Sequence, residues 1–296
     1  MSPRLLRRIR ESALAYLLIL PAFGAFVLFV FYPLVKTAYL GFFLAPPTPN
    51  LPSHYVGLHQ YQQVLGSSDF RDSLGRTGLF VLLTVPAGIV IGLGLATLAN
   101  TKVPGIGLFR AVYSSTVATS TAIASVIFFT LLNPEVGLLS YLFSKEGGNG
   151  ILQDPRWALP AVALVTVWQN IGFSFILMSA ALQSLPEDVL EASKVDGATG
   201  FVRFRQIILP LVSPILFFAA VVGIISGFQA FGQIDILTQG GPNHGTLVLI
   251  YDLYQQAFQF NNPGYAAVLS IALFVILLVL TFVQFWFFQR RVSYAD

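Results

Sequence analysis

The stretch Glu191-Ala192-Ser193-Lys194-Val195-Asp196-Gly197-Ala198, continuing through Phe204, Ile207, Leu209 and Pro210, most constrains the architecture of this chain. It lies in a short polar gap, 183–206, between the long apolar runs Ala158 to Leu182 and Ile207 to Ile234. A polar segment set between two such runs reads as a structured loop on a membrane surface. Ser184 followed by Glu187 fits a capping box, in which hydroxyl and carboxylate satisfy the free backbone donors of a helix start. Leu185, Val189 and Ala192 recur at helical spacing and give that helix one apolar stripe. Gly197 suits the left-handed position that ends it, and Thr199 is placed to cap a second turn leading to Phe204. The spacing predicts a helix, a sharp bend and another helix.

Working outward, hydrophobic residues make up 55% of the chain and charged residues only 10%, a balance that would not keep a soluble domain dispersed. A helix crossing hydrocarbon needs about 20 mainly apolar residues. Six runs meet that length: Ala13 to Val35, Leu74 to Ala99, Leu108 to Leu132, Ala158 to Leu182, Ile207 to Ile234 and Tyr265 to Phe288. The chain is therefore predicted to be an all-α, polytopic membrane protein with six transmembrane helices, forming a single domain over residues 1–296. Pro21, Pro86, Pro160 and Pro214 interrupt these runs and are expected to kink them. Glycines 88, 92 and 94 lie inside the second run, where they allow close packing; no G-K-[ST] follows to make a phosphate loop.

Arg4, Arg7, Arg8 and Arg10 precede the first apolar run. That run is too long for an ordinary signal-peptide core and no A-x-A-like site closes it before Lys36, so it is expected to stay as an anchor. Basic residues collect on the cytoplasmic side of membrane proteins. With the N-terminus inside, that side receives Lys102, Arg110, Lys194, Arg203, Arg205, Arg290 and Arg291 as well, and both termini and the 183–206 loop are cytoplasmic. The external segments are then 41–73, 133–157 and 235–264, the first carrying Pro46, Pro47, Pro49 and Pro52 and expected to be extended or turn-like.

The net charge of +3 is small and its basic residues sit at the ends of apolar runs, which argues against a nucleic-acid partner. Cysteine is absent, the three histidines lack metal-ligand spacing, and no catalytic triad or carboxylate pair stands out. Glu187, Asp188 and Glu191 make the first half of the polar loop acidic, whereas anionic lipid favours basic segments. A protein partner suits this loop better than a lipid surface.

The order Glu-Ala-Ser, then Asp-Gly-Ala, then a basic segment ending in Ile-Ile-Leu-Pro resembles the EAA loop of binding-protein-dependent ABC importer permeases. Ser193 stands where that motif usually has a second alanine. Tyr16-Leu17-Leu18-Ile19-Leu20-Pro21 with Phe31-Tyr32-Pro33-Leu34 resembles the first helix of the carbohydrate-type members. Leu237-Thr238-Gln239-Gly240-Gly241-Pro242 with Thr246, Tyr251, Phe258, Gly264, Tyr265 and Ala266 is similar to their external loop and last helix, particularly in the first permease subunit of maltose and glycerol-3-phosphate importers. Gln289 to Tyr294 resembles the end of the glycerol-3-phosphate branch.

The resemblance implies a non-catalytic transport subunit of a bacterial or archaeal plasma membrane, holding no cofactor of its own. Its partners would be a second homologous permease subunit, an ATPase dimer carrying ATP and Mg, an external solute-binding protein and the lipid bilayer. Glu187, Glu191, Ala192, Ser193, Asp196, Gly197 and Ala198 would form the short coupling helix that docks on the ATPase.

Polar residues at bilayer depth face protein or a water-filled cavity, which makes Trp168, Gln169, Asn170, Gln229, Gln233 and Asp235 candidates for the solute path. Hydrogen bonding between helices is their competing role. The hydroxyl-rich stretch Ser114, Ser115, Thr116, Thr119, Ser120, Thr121 and Ser125 is assigned to close helix packing. The expected function is inward, ATP-driven movement of glycerol 3-phosphate or a glycerophosphodiester, with a sugar or oligosaccharide as the alternative. A transporter coupled to an ion gradient would place ionisable residues near the bilayer centre, and carboxylates here lie only near helix ends. A membrane scaffold without transport activity is the third possibility.

Overall fold

The computed structural model describes residues 16–44, 53–101, 103–139 and 150–288. The basic N-terminal arginines, prolines 46–52, Lys102, Lys145 and the segment from Gln289 to Tyr294 lie outside the described residues. The chain divides into two compact units, one reaching to Ser67 and including Leu253–Ala272, the other comprising Ser68–Asp252 and the residues from Leu273 onward.

In the first unit, helix α1 (Tyr16–Leu40) is an apolar helix of 25 residues whose most apolar window is wholly exposed. It widens into a π-turn over Val27–Phe31 and leads into β1 (Phe43–Leu44), which pairs antiparallel with β2 (His54–Tyr55). Helix α2 (His59–Gly66) presents Gln60 and Val64, one turn apart, to the interior of this unit. The Tyr61 hydroxyl donates to the Ala38 carbonyl at 2.8 Å, and burial pushes its phenol above its ordinary pKa.

The second unit is built on α3 (Ser68–Ala99) and α6 (Ala158–Gln183), with α9 (Ser213–Phe228) also packed on α3. Small residues set the approach. A β-carbon added at Gly92 would lie 2.5 Å from the Ser174 β-carbon, and one at Gly227 would lie 2.8 Å from a Val81 methyl. Gly88 faces Ser174 as well, whereas Gly94 has nothing within 4 Å, so only the first two of the three glycines pack against α6. Large apolar side chains such as Leu82, Val90, Leu164 and Phe282 point outward and remain exposed, a surface suited to hydrocarbon.

Four helices, α1, α3, α6 and α11 (Pro263–Phe288), are each long and apolar enough to cross a membrane, and two bent pairs, each counted as one span, bring the number to six. The third and fifth runs are thus broken where the sequence predicted continuous helices. Helices α4 (Ile106–Ser115) and α5 (Thr121–Leu132) are separated by a 3-10 turn at Thr116–Ala118, and the pair bends by 102°. The hydroxyl-rich stretch causes this break. Ser115 and Thr116 donate to the carbonyls of Val112 and Tyr113, and Ser120 accepts from the Ile123 N–H as the cap of α5. In the fifth run, α8 (Gly200–Leu211) and α9 meet at 67° around Val212, between Pro210 and Pro214.

The prolines divide in the same way. Pro86 lies inside α3, but Pro160 and Pro214 occupy the first turns of α6 and α9, where their missing N–H costs nothing. Pro160 starts a helix and does not kink it, whereas Pro214 starts α9 directly after the 67° bend of the fifth run.

Candidate transport cavity and coupling loop

Helix α7 (Glu187–Val195) follows α6 after a gap of only Ser184, Leu185 and Pro186. Its N-cap is Pro186, with no side-chain cap, and the Ser184 hydroxyl donates backward to the Ala181 carbonyl at 2.9 Å. The capping box predicted from Ser184 and Glu187 is absent, because Ser184 belongs to the end of α6. Glu187 and Asp188 instead occupy the first turn and Lys194 the last, each matching the helix dipole. Thr199 holds the cap position of α8 in extended backbone, but its side chain makes no capping hydrogen bond, also contrary to expectation.

The end of α7 follows the sequence reading. Gly197 has φ +75°, its N–H donates to the Lys194 carbonyl at 3.1 Å, and the Ala198 N–H reaches the Ser193 carbonyl at 2.9 Å. This is a Schellman ending, in which a left-handed residue lets two successive N–H groups satisfy the last helical carbonyls. Ser193 is 4% exposed, with its hydroxyl on the Leu190 carbonyl at 2.7 Å, so the serine in place of alanine is absorbed by its own helix. Leu185 packs into the core formed by Leu93, Ala96, Met178, Ala181, Leu182 and Val212. The rest of the anticipated stripe turns outward: Val189 and Ala192 are exposed, as are Glu187, Glu191 and Asp196, while Ala198 is half-buried. Val195 at 88% and Phe201 at 72% add exposed apolar surface on either side of the bend. Phe204, Ile208 and Leu209 pack on the same core as Leu185, so both arms of the loop are rooted in one cluster.

Further along α6, α3 and α9 a cavity of about 360 Å³ opens in the second unit. Of the six path candidates, Gln169, Asn170, Gln229 and Gln233 line it. Trp168 packs edge-on against Phe128 at 5.1 Å, and Asp235 accepts from the Tyr251 hydroxyl at 3.1 Å; neither is in the wall. Gln233, on α10 (Gly232–Leu237), donates to the Gln169 Oε1 at 3.0 Å, and Gln169 Nε2 donates to the Thr121 hydroxyl oxygen at 2.8 Å. This relay joins the first residue of α5, the middle of α6 and the start of α10.

The wall also holds Thr84, Thr121, Thr166, Ser174 and Ser226, with Phe173 and Phe231 as apolar faces. The sequence reading missed these. Thr121 was assigned to packing with its neighbours, yet it is a cavity residue; Thr116, by contrast, does pack, closing on Gly172. Among the described residues no group of three His, Cys, Asp or Glu could hold a metal ion. What the arrangement offers is a set of hydroxyls and carboxamides at membrane depth.

In the same unit, the 235–252 segment is held by specific bonds. The Thr246 hydroxyl donates to the Gly241 carbonyl at 2.7 Å, and the buried Leu249 N–H donates to Thr77 of α3 at 2.8 Å. A continuous sequence of apolar spans thus carries an ordered loop, a polar cavity and an exposed helix-turn element.

Apolar spans around a polar cavity, with a short helix projecting from the end of one of them, define a membrane transport subunit. Residues 7–293 match the model of the family described as binding-protein-dependent transport system inner membrane component, and the chain belongs to that family of ABC importer permeases. It is 35% identical over 290 residues to the sn-glycerol-3-phosphate transport system permease protein UgpA of Agrobacterium fabrum, covering 96% of this chain and 98% of that one. It is 32% identical to the protein of the same name from Pectobacterium atrosepticum, covering 96% and 97%. A chain of the crystal structure of a bacterial ABC transporter involved in the import of the acidic polysaccharide alginate superposes with a TM-score of 0.82 at 21% identity, covering 98% of this chain and 100% of that one. The alginate transporter in complex with an alginate pentasaccharide-bound periplasmic protein gives 0.81, also at 21% identity, over 98% and 99%. These two establish the shared fold.

Proposed function

We propose that the chain, acting as one transmembrane domain, moves glycerol 3-phosphate or a glycerophosphodiester inward through the Gln169 cavity, driven by ATP hydrolysed with Mg on a separate ATPase dimer. The observation that carries this reading is the position of Gln169 on α6, the unbroken helix that runs on directly into the α7 loop. The named relatives support the choice of solute. In this reading Glu187, Glu191, Ala192, Ser193, Asp196, Gly197 and Ala198 form the element that meets the ATPase. Both termini and this loop are cytoplasmic, a second permease subunit completes the path, and an external binding protein delivers the solute.

ATP-driven closure of the ATPase displaces α7, which tilts α6 and α9 through the shared core at Leu185, Phe204 and Val212. Access then switches between outward and inward states, and the ATPase must bind those two states with different affinity for ATP to bias them. The uncharged cavity wall favours a second reading, a neutral oligosaccharide.

Uptake by the reconstituted complex tests both. Proteoliposomes holding both permease subunits and the ATPase, supplied with binding protein, should accumulate labelled glycerol 3-phosphate only with internal ATP. Accumulation without ATP would overturn the importer reading, and ATP-dependent uptake of an oligosaccharide alone would favour the second solute.

A further inference from the structure

Resting on the reading above, we propose that this chain recognises the hydroxyl groups of its solute through Thr121, Asn170, Gln229 and Gln233, and leaves the solute's charge to be met by another subunit. The starting observation is which wall groups are free to bind. Thr84 and Thr166 donate to the carbonyls of Phe80 and Val162 within their own helices at 2.8 and 2.9 Å, so their protons are already used. Asn170 and Gln229 are exposed to the cavity and make no side-chain hydrogen bond to other described residues. The relay of Gln233, Gln169 and Thr121 ends in the cavity wall at both Thr121 and Gln233.

The direction of that relay matters. Thr121 accepts from Gln169, so its own proton remains to be donated, and the Gln233 carbonyl oxygen remains to accept. Turning both amides over exchanges oxygen and nitrogen at the same two positions of each side chain and reverses every donor and acceptor. The relay then offers N–H groups at Gln233 and a lone pair at Thr121. A hydroxyl is at once a donor and an acceptor, so it is satisfied by either orientation. A phosphate accepts only, and it binds best to guanidinium or ammonium groups. Among the described residues of the wall there is no lysine, arginine or histidine. Phe173 and Phe231 supply apolar faces for a carbon skeleton, which completes a surface suited to a polyol.

The chemistry gives a test that uses two probes sharing a glyceryl group and differing at phosphorus. Glycerol 3-phosphate is a monoester with an ionisation near pH 6, as phosphomonoesters have, whereas glycerophosphocholine is a diester without it. In reconstituted complexes Thr121→Val and Gln229→Leu should each lower uptake of both probes by the same factor, tenfold or more, at pH 5.5 and at pH 7.5. Thr121→Ser should restore uptake to within twofold, and since the Gln229 side chain bonds to no other described residue, Gln229→Leu should assemble normally. Losses that differ threefold or more between the probes, or that change with pH for the monoester alone, would overturn the proposal by placing the phosphate here. Undiminished uptake in both variants would overturn it too. If the wild type moves a neutral oligosaccharide and neither probe, the glycerol-phosphate reading fails separately; the proposal then stands if the same variants lower oligosaccharide uptake and falls if they do not.

Discussion

The Gln233 amide donates to the Gln169 carbonyl oxygen at 3.0 Å, and this bond ties a short helix lying beyond a broken span to the middle of an unbroken one. Gln169 bonds Thr121 with its other end, so one side chain on α6 holds the ends of two interrupted helices. Gly232 makes the approach possible, since a β-carbon there would sit 3.1 Å from the Thr121 methyl. Through α6 the same backbone reaches the loop that opens at Glu187. Cavity and loop are therefore connected by continuous helix.

Cavity polarity and helix bonding are separable by mutation. Asn170→Leu should lower uptake while leaving the complex as stable as wild type, because Asn170 makes no side-chain bond to other described residues. Gln169→Leu removes two interhelical hydrogen bonds, each worth about 0.6 kcal/mol in membrane proteins, and should lower both uptake and stability, the latter by roughly 1 kcal/mol. Thermal denaturation of the purified complex beside an uptake assay checks this. Normal uptake in both variants would remove these amides from the path.

Two glycines on one helix should behave differently. At Gly92 a new side chain meets Ser174 at 2.5 Å, so Gly92→Val overpacks the α3 and α6 contact and should cost about 1–3 kcal/mol or more, seen as lost assembly on gel filtration. Gly94 has nothing within 4 Å and is exposed, so Gly94→Ala should assemble and transport normally. Equal tolerance at both positions would contradict the packing described for α3.

The loop turns on the backbone of Gly197 and not on space, because nothing lies within 4 Å of its missing β-carbon. A left-handed conformation costs an ordinary residue roughly 1–2 kcal/mol, more for a β-branched one, and least for asparagine. Gly197→Val should abolish solute-stimulated ATP hydrolysis and uptake while the chain still inserts; Gly197→Asn should keep most of both. The solute affinity of the external binding protein should not change in either case. Full stimulation in Gly197→Val would exclude this turn from transmission.

Much of this was legible in the sequence where the requirement is local. Gly197 was readable because only its own backbone angle is at stake, and the six apolar runs because their length is set by the bilayer. The two breaks were hidden, since serine and threonine bonding to their own backbone at 115–120 leave the run as apolar as a continuous helix. Ser184 was misread for a related reason: its hydroxyl serves the preceding helix, and no local pattern tells which helix a capping residue belongs to. The four amides of the cavity stood out as polar groups at depth. Thr121 did not, because what separates it from its packing neighbours is a partner 48 residues away.

The proposed orientation rests on the basic residues at the ends of the apolar runs. Reporter fusions after Ser184 should register as cytoplasmic and fusions after His244 as external, read as alkaline phosphatase inactive at the first site and active at the second. Activity at Ser184 would put α7 on the wrong face for any contact with cytoplasmic ATPase.

The proposed contact between α7 and an ATPase subunit is open to direct test, because the chain contains no cysteine and a single introduced thiol is unique within it. Cysteine placed at Ala192 or Val195, both exposed on α7, should cross-link to the ATPase subunit in the assembled transporter, and the yield should change when ATP is added. Cysteine at His244, which the proposed orientation puts on the external side, should give no such product. Cross-linking of Ala192 and Val195 only to lipid-phase reagents or to the external binding protein, with none to the ATPase, would contradict coupling through this loop.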